Sequence, residues 1–124
     1  MKVTPNLDVP IYRQIADSFM EDILSGRFAQ GACLPSIRVL AHELDVSVIT
    51  TIKAYKILQE EGAIVAVCGK GFFVNGNNLE KLRMQRASKI EEKLREGVRL
   101  ARQAGITEQE LVDELKTMIK QEWE

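Results

Sequence analysis

The sequence predicts a mainly α-helical fold with one small β-hairpin, and three observations support that prediction. First, apolar residues recur at helical spacing in five segments separated by glycine, proline or polar turns. Second, residues 63–67 are too few for a helix, rich in β-branched side chains, and followed by a Gly-Lys-Gly turn. Third, the 124 residues are 45% apolar and 28% charged, an ordinary globular composition, and are enough for one ordinary domain or for a small domain with an appendage.

Composition and charge limit the possible functions. The net charge is −1, so a nucleic-acid partner would have to be bound by a local basic surface. The longest apolar run, residues 63–68, is far shorter than the roughly 20 residues that span a bilayer, and the N-terminus lacks a secretory core. We therefore predict a cytoplasmic protein without membrane association.

Cys33 and Cys68 are expected to be reduced and to act as small buried hydrophobic residues.

The first helix follows a loose arm, residues 1–9. Pro10 suits the first turn of this helix, and Gly26 suits the position just after its end. The apolar residues at helical spacing between them are Ile11, Ile15, Phe19 and Ile23.

A short second helix and a third helix follow in close succession. Ser36 is expected to cap the second helix, whose apolar stripe is Ile37, Leu40, Ala41 and Leu44. Asp45 tolerates the left-handed conformation that the turn requires, and Ser47 is expected to cap the third helix. Only about three residues separate the two helices, which is typical of a helix–turn–helix.

Residues 46–52, VSVITTI, could form a strand or a helix, because six of the seven are β-branched. A strand would have no partner strand or hairpin turn close by, so we favour a helix capped by Ser47. Its inward face would carry Thr51, Ala54, Tyr55 and Leu58. Its outward face would carry Val48, Ile49, Ile52, Lys53 and Lys56.

This outward face has two explanations. In the major groove of DNA, aliphatic side chains contact thymine methyl groups, while hydroxyl and lysine groups bond phosphates or base edges. Alternatively, an ordinary packed helix would place this face against another subunit. The hairpin favours DNA, because Gly69-Lys70-Gly71 at its tip lets the backbone approach a partner closely. In a winged helix–turn–helix, that tip meets the DNA backbone or the minor groove.

The C-terminal part is expected to be a two-helix tail. Asn-Gly-Asn-Asn at residues 75–78 indicates a domain boundary, residues 79–104 predict a long charged helix, and Gly105 ends it. Thr107 and Glu110 form a capping box for the last helix. Both apolar stripes are narrow, so the tail is expected to pair two chains. The residues assigned to dimerisation are Leu82, Ile90, Leu94, Leu111, Leu115, Met118 and Trp123.

The ordered motifs of residues 8–75 resemble the N-terminal DNA-binding domain of GntR-family transcription regulators, and the short tail resembles the YtrA-type branch. The matching segments are PIYRQI (10–15), ILSG (23–26), LPSIRVLA (34–41), LDVS (44–47), AY (54–55), Leu58, EG (61–62) and GKGFFV (69–74). The resemblance implies a winged helix–turn–helix domain over residues 1–75 and an α-helical dimerisation tail over residues 76–124.

The resemblance also implies roles for single residues. Arg38 matches an arginine that contacts DNA, and Gly69 and Lys70 match a wing tip that enters the minor groove. Ser47 and Thr50 match hydroxyl residues at the start of the recognition helix. The predicted DNA-binding residues are Arg38, Ser47, Val48, Ile49, Thr50, Ile52, Lys53, Lys56, Gly69 and Lys70.

Two positions depart from the family pattern. Many members have arginine where this chain has Val48, and a basic or polar residue where it has Ile52, so guanine readout does not transfer. Together with Ile49, these side chains favour a site that is read partly through thymine methyl groups.

The sequence therefore predicts a sequence-specific DNA-binding transcription regulator, expected to be a repressor that binds an inverted repeat of double-stranded DNA as a homodimer. It predicts no enzyme, metal or cofactor, because no catalytic set, metal-spaced cluster or phosphate loop is visible and His42 is the one histidine. A small-molecule effector is left open. The alternative is a winged-helix protein-interaction module that does not bind DNA, since residues 1–75 carry seven basic and eight acidic residues.

Overall fold

The structure is a computed structural model that describes residues 1–5 and 8–123. Within these residues it contains α1 (Ile11–Ser25), α2 (Ile37–Leu44), α3 (Val48–Glu60), β1 (Ile64–Val67), β2 (Gly71–Val74), α4 (Leu79–Gln103) and α5 (Glu108–Trp123). The mainly helical fold with a small hairpin is confirmed. Two residues of the predicted N-terminal arm, Asn6 and Leu7, lie outside the described residues. The chain divides into two compact units, Met1–Met84 and Gln85–Glu124.

The predicted caps determine how α2 and α3 begin. Ser36 Oγ accepts a hydrogen bond from the Val39 N–H at 3.2 Å, and Ser47 Oγ accepts one from the Thr50 N–H at 3.0 Å. Between the helices, Asp45 adopts a φ of 54°, as expected for the left-handed turn residue. These contacts give the first unit its helix–turn–helix.

The core of the first unit lies between α1, α2, α3 and the inner face of the hairpin. Tyr55 is at its centre: its ring packs edge-to-face against Phe19 and Phe72, with centroid distances of 5.9 and 5.0 Å. Its hydroxyl donates a 2.6 Å hydrogen bond to the carbonyl oxygen of Pro35. One side chain therefore links α1, α3, β2 and the residue before the α2 cap.

The first turns of α4 also belong to this core. Leu79 and Leu82 are each 4% exposed and pack with the buried residues of α1, α3 and the hairpin. The assignment of Leu82 to a dimer interface is therefore corrected, because its side chain has no surface left for a second chain. Helical spacing alone places Leu82 on the apolar stripe of α4 and does not indicate that the first turns of this helix pack on the core.

The hairpin is extended by a third segment. β1 and β2 pair antiparallel, from Ile64 opposite Val74 to Val67 opposite Gly71. On the other edge of β2, the Leu34 N–H donates to the Phe72 carbonyl at 2.8 Å, and Cys33 forms an isolated bridge with Phe73. The connector between α1 and α2 thus adds a short antiparallel pairing to the hairpin.

Both cysteines are exposed free thiols, so the prediction that they are buried was wrong. Cys33 belongs to the short edge segment beside β2, and Cys68 lies in the turn between β1 and β2. Edge and turn positions leave a side chain at the surface even when its residue type is commonly buried.

The second unit contains most of α4 and all of α5. Gly105 follows α4 with a φ of 76°. The predicted capping box is confirmed: Thr107 Oγ1 accepts the Glu110 N–H at 3.1 Å, and the Glu110 carboxylate accepts the Thr107 N–H at 3.4 Å. No residue of α5 over Glu108–Trp123 is buried.

Among the described residues, no helix is long and apolar enough to cross a membrane.

Candidate nucleic-acid interface

α3 presents one face to the core and the other to solvent. The buried residues are those predicted, Thr51, Ala54, Tyr55 and Leu58. On the outward face Val48, Ile49 and Ile52 are 38%, 77% and 47% exposed, and Lys53 and Lys56 are exposed beside them. A group of exposed aliphatic side chains on a well-packed helix indicates a contact surface.

The hydroxyl groups of Ser47 and Thr50, at the start of α3, differ in whether they can still donate a hydrogen bond to a partner outside the chain. Ser47 Oγ accepts from the Thr50 N–H and donates to Thr50 Oγ1 at 2.8 Å, so the helix end uses both functions of this hydroxyl. Thr50 Oγ1 accepts that bond and keeps its own proton. Thr50 can therefore donate to an acceptor outside the chain, whereas Ser47 mainly holds Thr50 in place.

The basic residues of the first unit divide into paired and unpaired sets. Arg13 lies 3.8 Å from the Asp17 carboxylate, and Arg27 lies 2.9 Å from that of Asp22. The four cations predicted to bind DNA form no ion pair within 4.0 Å with any residue that the structure describes: Arg38, Lys53, Lys56 and Lys70. The small acidic excess of residues 1–75 is thus compatible with cations that remain available to an anionic partner.

One contact of the predicted site was missed by sequence reasoning. Lys53 Nζ lies 4.0 Å from the centroid of the Tyr12 ring on α1, which is a cation–π distance. Tyr12 and Lys53 belong to helices far apart in sequence, so no local spacing could have indicated this pair.

The hairpin tip is a tight turn that exposes Lys70. The Lys70 N–H donates to the Val67 carbonyl at 2.9 Å. On either side, Gly69 and Gly71 have φ angles of 73° and 109°, which residues with a Cβ rarely adopt. The two glycines therefore shape a narrow tip whose one charged side chain is exposed.

The start of α2 is held by the core. Because Pro35 accepts the Tyr55 hydrogen bond, the segment leading to exposed Arg38 is tied to α3. Burial raises the pKa of the Tyr55 phenol well above its usual value, so the hydroxyl stays protonated as a donor. Val39, next to Arg38, is also exposed and was not assigned to the site, because it falls outside the apolar stripe of α2.

The second unit exposes an apolar surface. Of the residues assigned to dimerisation, Leu111 is half-buried and the exposed ones are Ile90, Leu94, Leu115, Met118 and Trp123. Further exposed apolar residues in this unit include Val98, Val112 and Ile119. A shallow groove on α4 is lined by Arg86, Lys89, Ile90, Lys93 and Leu94.

The two helices of this unit differ in charge. Residues 85–103 carry six basic and three acidic side chains, whereas residues 108–123 carry two basic and five acidic ones. In the part of the chain that the structure describes, no three His, Cys, Asp or Glu side chains cluster closely enough to hold a metal ion.

Comparison with known proteins identifies the chain's relatives as bacterial transcription regulators. Residues 11–74 match the family model described as "Bacterial regulatory proteins, gntR family". The transcriptional repressor YtrA of Bacillus subtilis is 32% identical over 116 residues, which cover 94% of this chain and 89% of YtrA. Other curated relatives are longer proteins: the chain covers only 17% and 27% of two further Bacillus subtilis regulators.

Solved structures agree with these sequence matches. A GntR family transcriptional regulator from Listeria monocytogenes superposes with a TM-score of 0.72 at 27% identity, over 91% of this chain and 98% of that one. AraR(DBD), solved in complex with operator ORX1, superposes with a TM-score of 0.53 at 26% identity, over 60% of this chain and 92% of that one. The proteins that match are transcription regulators and not enzymes, in agreement with the sequence prediction.

Proposed function

This chain belongs to the GntR family of bacterial transcription regulators, and we propose that it is a cytoplasmic repressor that binds an inverted repeat of duplex DNA as a homodimer. Residues 1–75 bind the DNA in this proposal, and the part of the tail, residues 76–124, that follows Met84 forms the dimer. The observation that carries it is the outward face of α3, where three aliphatic side chains and two lysines are exposed above a fully packed inner face.

α3 is the recognition helix in this proposal. Val48, Ile49 and Ile52 contact thymine methyl groups in the major groove, because aliphatic groups complement that feature of an A·T pair. Thr50 donates its available hydroxyl proton to a base edge or a phosphate, and Ser47 holds Thr50 in position. The site is therefore richer in thymine contacts than one read by arginine.

Basic side chains around α3 bind the sugar–phosphate backbone. Lys53 and Lys56 flank the aliphatic face, and Arg38 extends from the preceding helix. Lys70 and Gly69 form the wing tip that approaches the minor groove. Each of these four cations lacks an ion pair with a described residue, which supports their availability to phosphates.

The second unit forms the dimer through its exposed apolar residues. The interface includes Ile90, Leu94, Leu111, Leu115, Met118 and Trp123, but not Leu82. Since α4 is predominantly basic in this unit and α5 predominantly acidic, α5 of one chain complements α4 of its partner in charge. A two-fold dimer would read two half-sites of opposite orientation. The repressor role is taken from the similarity to YtrA.

Selection from a pool of random duplexes with the full-length chain tests the proposal. We expect enrichment of a palindrome whose half-sites contain thymine at several positions, and loss of binding as salt is raised. If no duplex is enriched even at low salt, the proposal is wrong and the protein-interaction module is favoured. The slightly acidic composition of residues 1–75 is the observation behind that second candidate.

A further inference from the structure

Tyr12 and Lys53 form a contact between α1 and α3 at the edge of the outward face. The ammonium group of Lys53 lies 4.0 Å from the centre of the Tyr12 ring. Tyr12 is half-buried in the second position of α1, and its ring packs against the core of the first unit. A lysine side chain with four rotatable bonds is thus guided by a ring that is itself held in place.

A ring and a carboxylate restrain a cation with different consequences. Arg13, the residue after Tyr12, lies 3.8 Å from the Asp17 carboxylate and 3.9 Å from that of Glu61, so opposite charges offset its own. An aromatic ring attracts a cation through its quadrupole and carries no net charge. Lys53 is therefore positioned without being neutralised, and among the described residues it has no carboxylate within 4.0 Å.

We propose that Tyr12 is a positioning residue for DNA binding, which holds the Lys53 ammonium beside the first turn of α1 for one backbone phosphate of the bound duplex. The inference rests on the proposed function. The first turn of α1 contains no acidic residue that would repel a phosphate. Lys56, one turn further along α3, makes no such ring contact in the described structure and is the natural comparison.

The affinity of the full-length chain for the duplex that wild type selects tests this role. Tyr12→Phe keeps the ring and is expected to bind like wild type. Tyr12→Leu is expected to weaken binding about two- to fivefold, the contribution of an exposed cation–π contact. Lys53→Ala is expected to lower the salt slope by about one. In the Lys53→Ala background, Tyr12→Leu should have no further effect, whereas in the Lys56→Ala background it should keep its full effect.

An NMR measurement without DNA separates positioning from damage to the fold. The ε-methylene protons of Lys53 should be shifted upfield by the ring in wild type and in Tyr12→Phe, and should lose that shift in Tyr12→Leu while the core signals stay unchanged.

Two results would overturn the inference while leaving the proposed function intact. One is wild-type affinity of Tyr12→Leu. The other is an undiminished effect of Tyr12→Leu in the Lys53→Ala background, because Tyr12 would then act without Lys53. If wild type enriches no duplex at all, the proposed function fails and this inference fails with it.

Discussion

The four unpaired cations of the candidate interface, Arg38, Lys53, Lys56 and Lys70, contribute the charge that this surface offers to a polyanion. In residues 1–75 acidic side chains slightly outnumber basic ones, but Arg13 and Arg27 are the cations that lie closest to carboxylates. Arg38 and Lys70 extend from α2 and from the hairpin tip without an ion pair to a described residue. The distribution of ion pairs therefore matters more to binding than the net charge.

We expect Arg38→Ala and Lys70→Ala each to weaken binding to specific and unrelated duplexes alike. Each loses one phosphate contact, so the slope of log affinity against log salt should fall by about one. Titrations at several salt concentrations measure both effects. Arg27→Ala is the control, because it removes the same charge from a side chain already paired with Asp22. Unchanged slopes for Arg38→Ala and Lys70→Ala would refute their assignment to the interface.

For Ile52→Ala we expect a change in base preference at one or two thymine positions. The shortened side chain no longer reaches a methyl group, which should reduce discrimination there by about 1 kcal/mol. Competition between duplexes that carry thymine or uracil at each position measures the effect. Lys56→Ala should instead weaken all of these duplexes equally. A wild-type preference in Ile52→Ala would exclude methyl readout by this residue.

Tyr55→Phe should destabilise the first unit by about 1 kcal/mol at neutral pH, because the Pro35 carbonyl loses its hydrogen-bond donor. The folded state also holds the phenol proton more tightly than the unfolded chain does, since burial raises the pKa of Tyr55. Its contribution to stability is thus complete below the ordinary tyrosine pKa of about 10 and declines as the pH rises above it. Urea unfolding across this range should show a steeper alkaline decline in wild type than in Tyr55→Phe.

Elements whose form depends on neighbouring residues were predicted well. The outward and inward faces of α3 follow from helical spacing once Ser47 is accepted as the cap, and both are confirmed. The same holds for the αL turn at Asp45 and for the capping box at Thr107. Each of these features is determined within one or two helical turns of sequence.

Contacts between distant segments were not predicted. The bridge between Cys33 and Phe73 depends on how the α1–α2 connector returns to the hairpin, and neither residue type indicates it. Tyr12 and Lys53 meet only because α1 packs on α3. Burial of Leu82 likewise follows from where α4 begins on the core. The candidate site was therefore predictable as a set of exposed residues, but not in the contacts that position them.

The tail helices lead to a prediction about assembly. Ile90→Gln with Leu94→Gln should weaken self-association at least tenfold, because two exposed aliphatic side chains of the proposed interface lose their apolar surface. Analytical ultracentrifugation over a range of concentrations measures the association constant. Ser88→Gln alters an exposed residue of the same helix outside the apolar stripe and serves as the control. Wild-type association of the double variant would show that α4 does not form the interface.

At the scale of the whole molecule, the first unit extends into α4. We expect Leu82→Ala to destabilise this unit by about 2–5 kcal/mol, because it leaves a cavity in the core. Met84→Ala, two residues along the same helix, should change stability by less than about 0.5 kcal/mol, since Met84 is exposed. Urea unfolding followed by circular dichroism compares the two variants. Similar stabilities would mean that Leu82 contributes little to the core.

The burial of Leu79 and Leu82 determines where chimeric proteins that exchange DNA-binding domains between regulators should be joined. The family motif stops at residue 74, yet the hydrophobic core still requires side chains from the following helix. A chimera joined at residues 75–78, just before α4, would take both leucines from whichever protein donated the tail. A junction inside α4, after Met84, preserves the core, because the transferred DNA-binding unit then keeps its own Leu79 and Leu82.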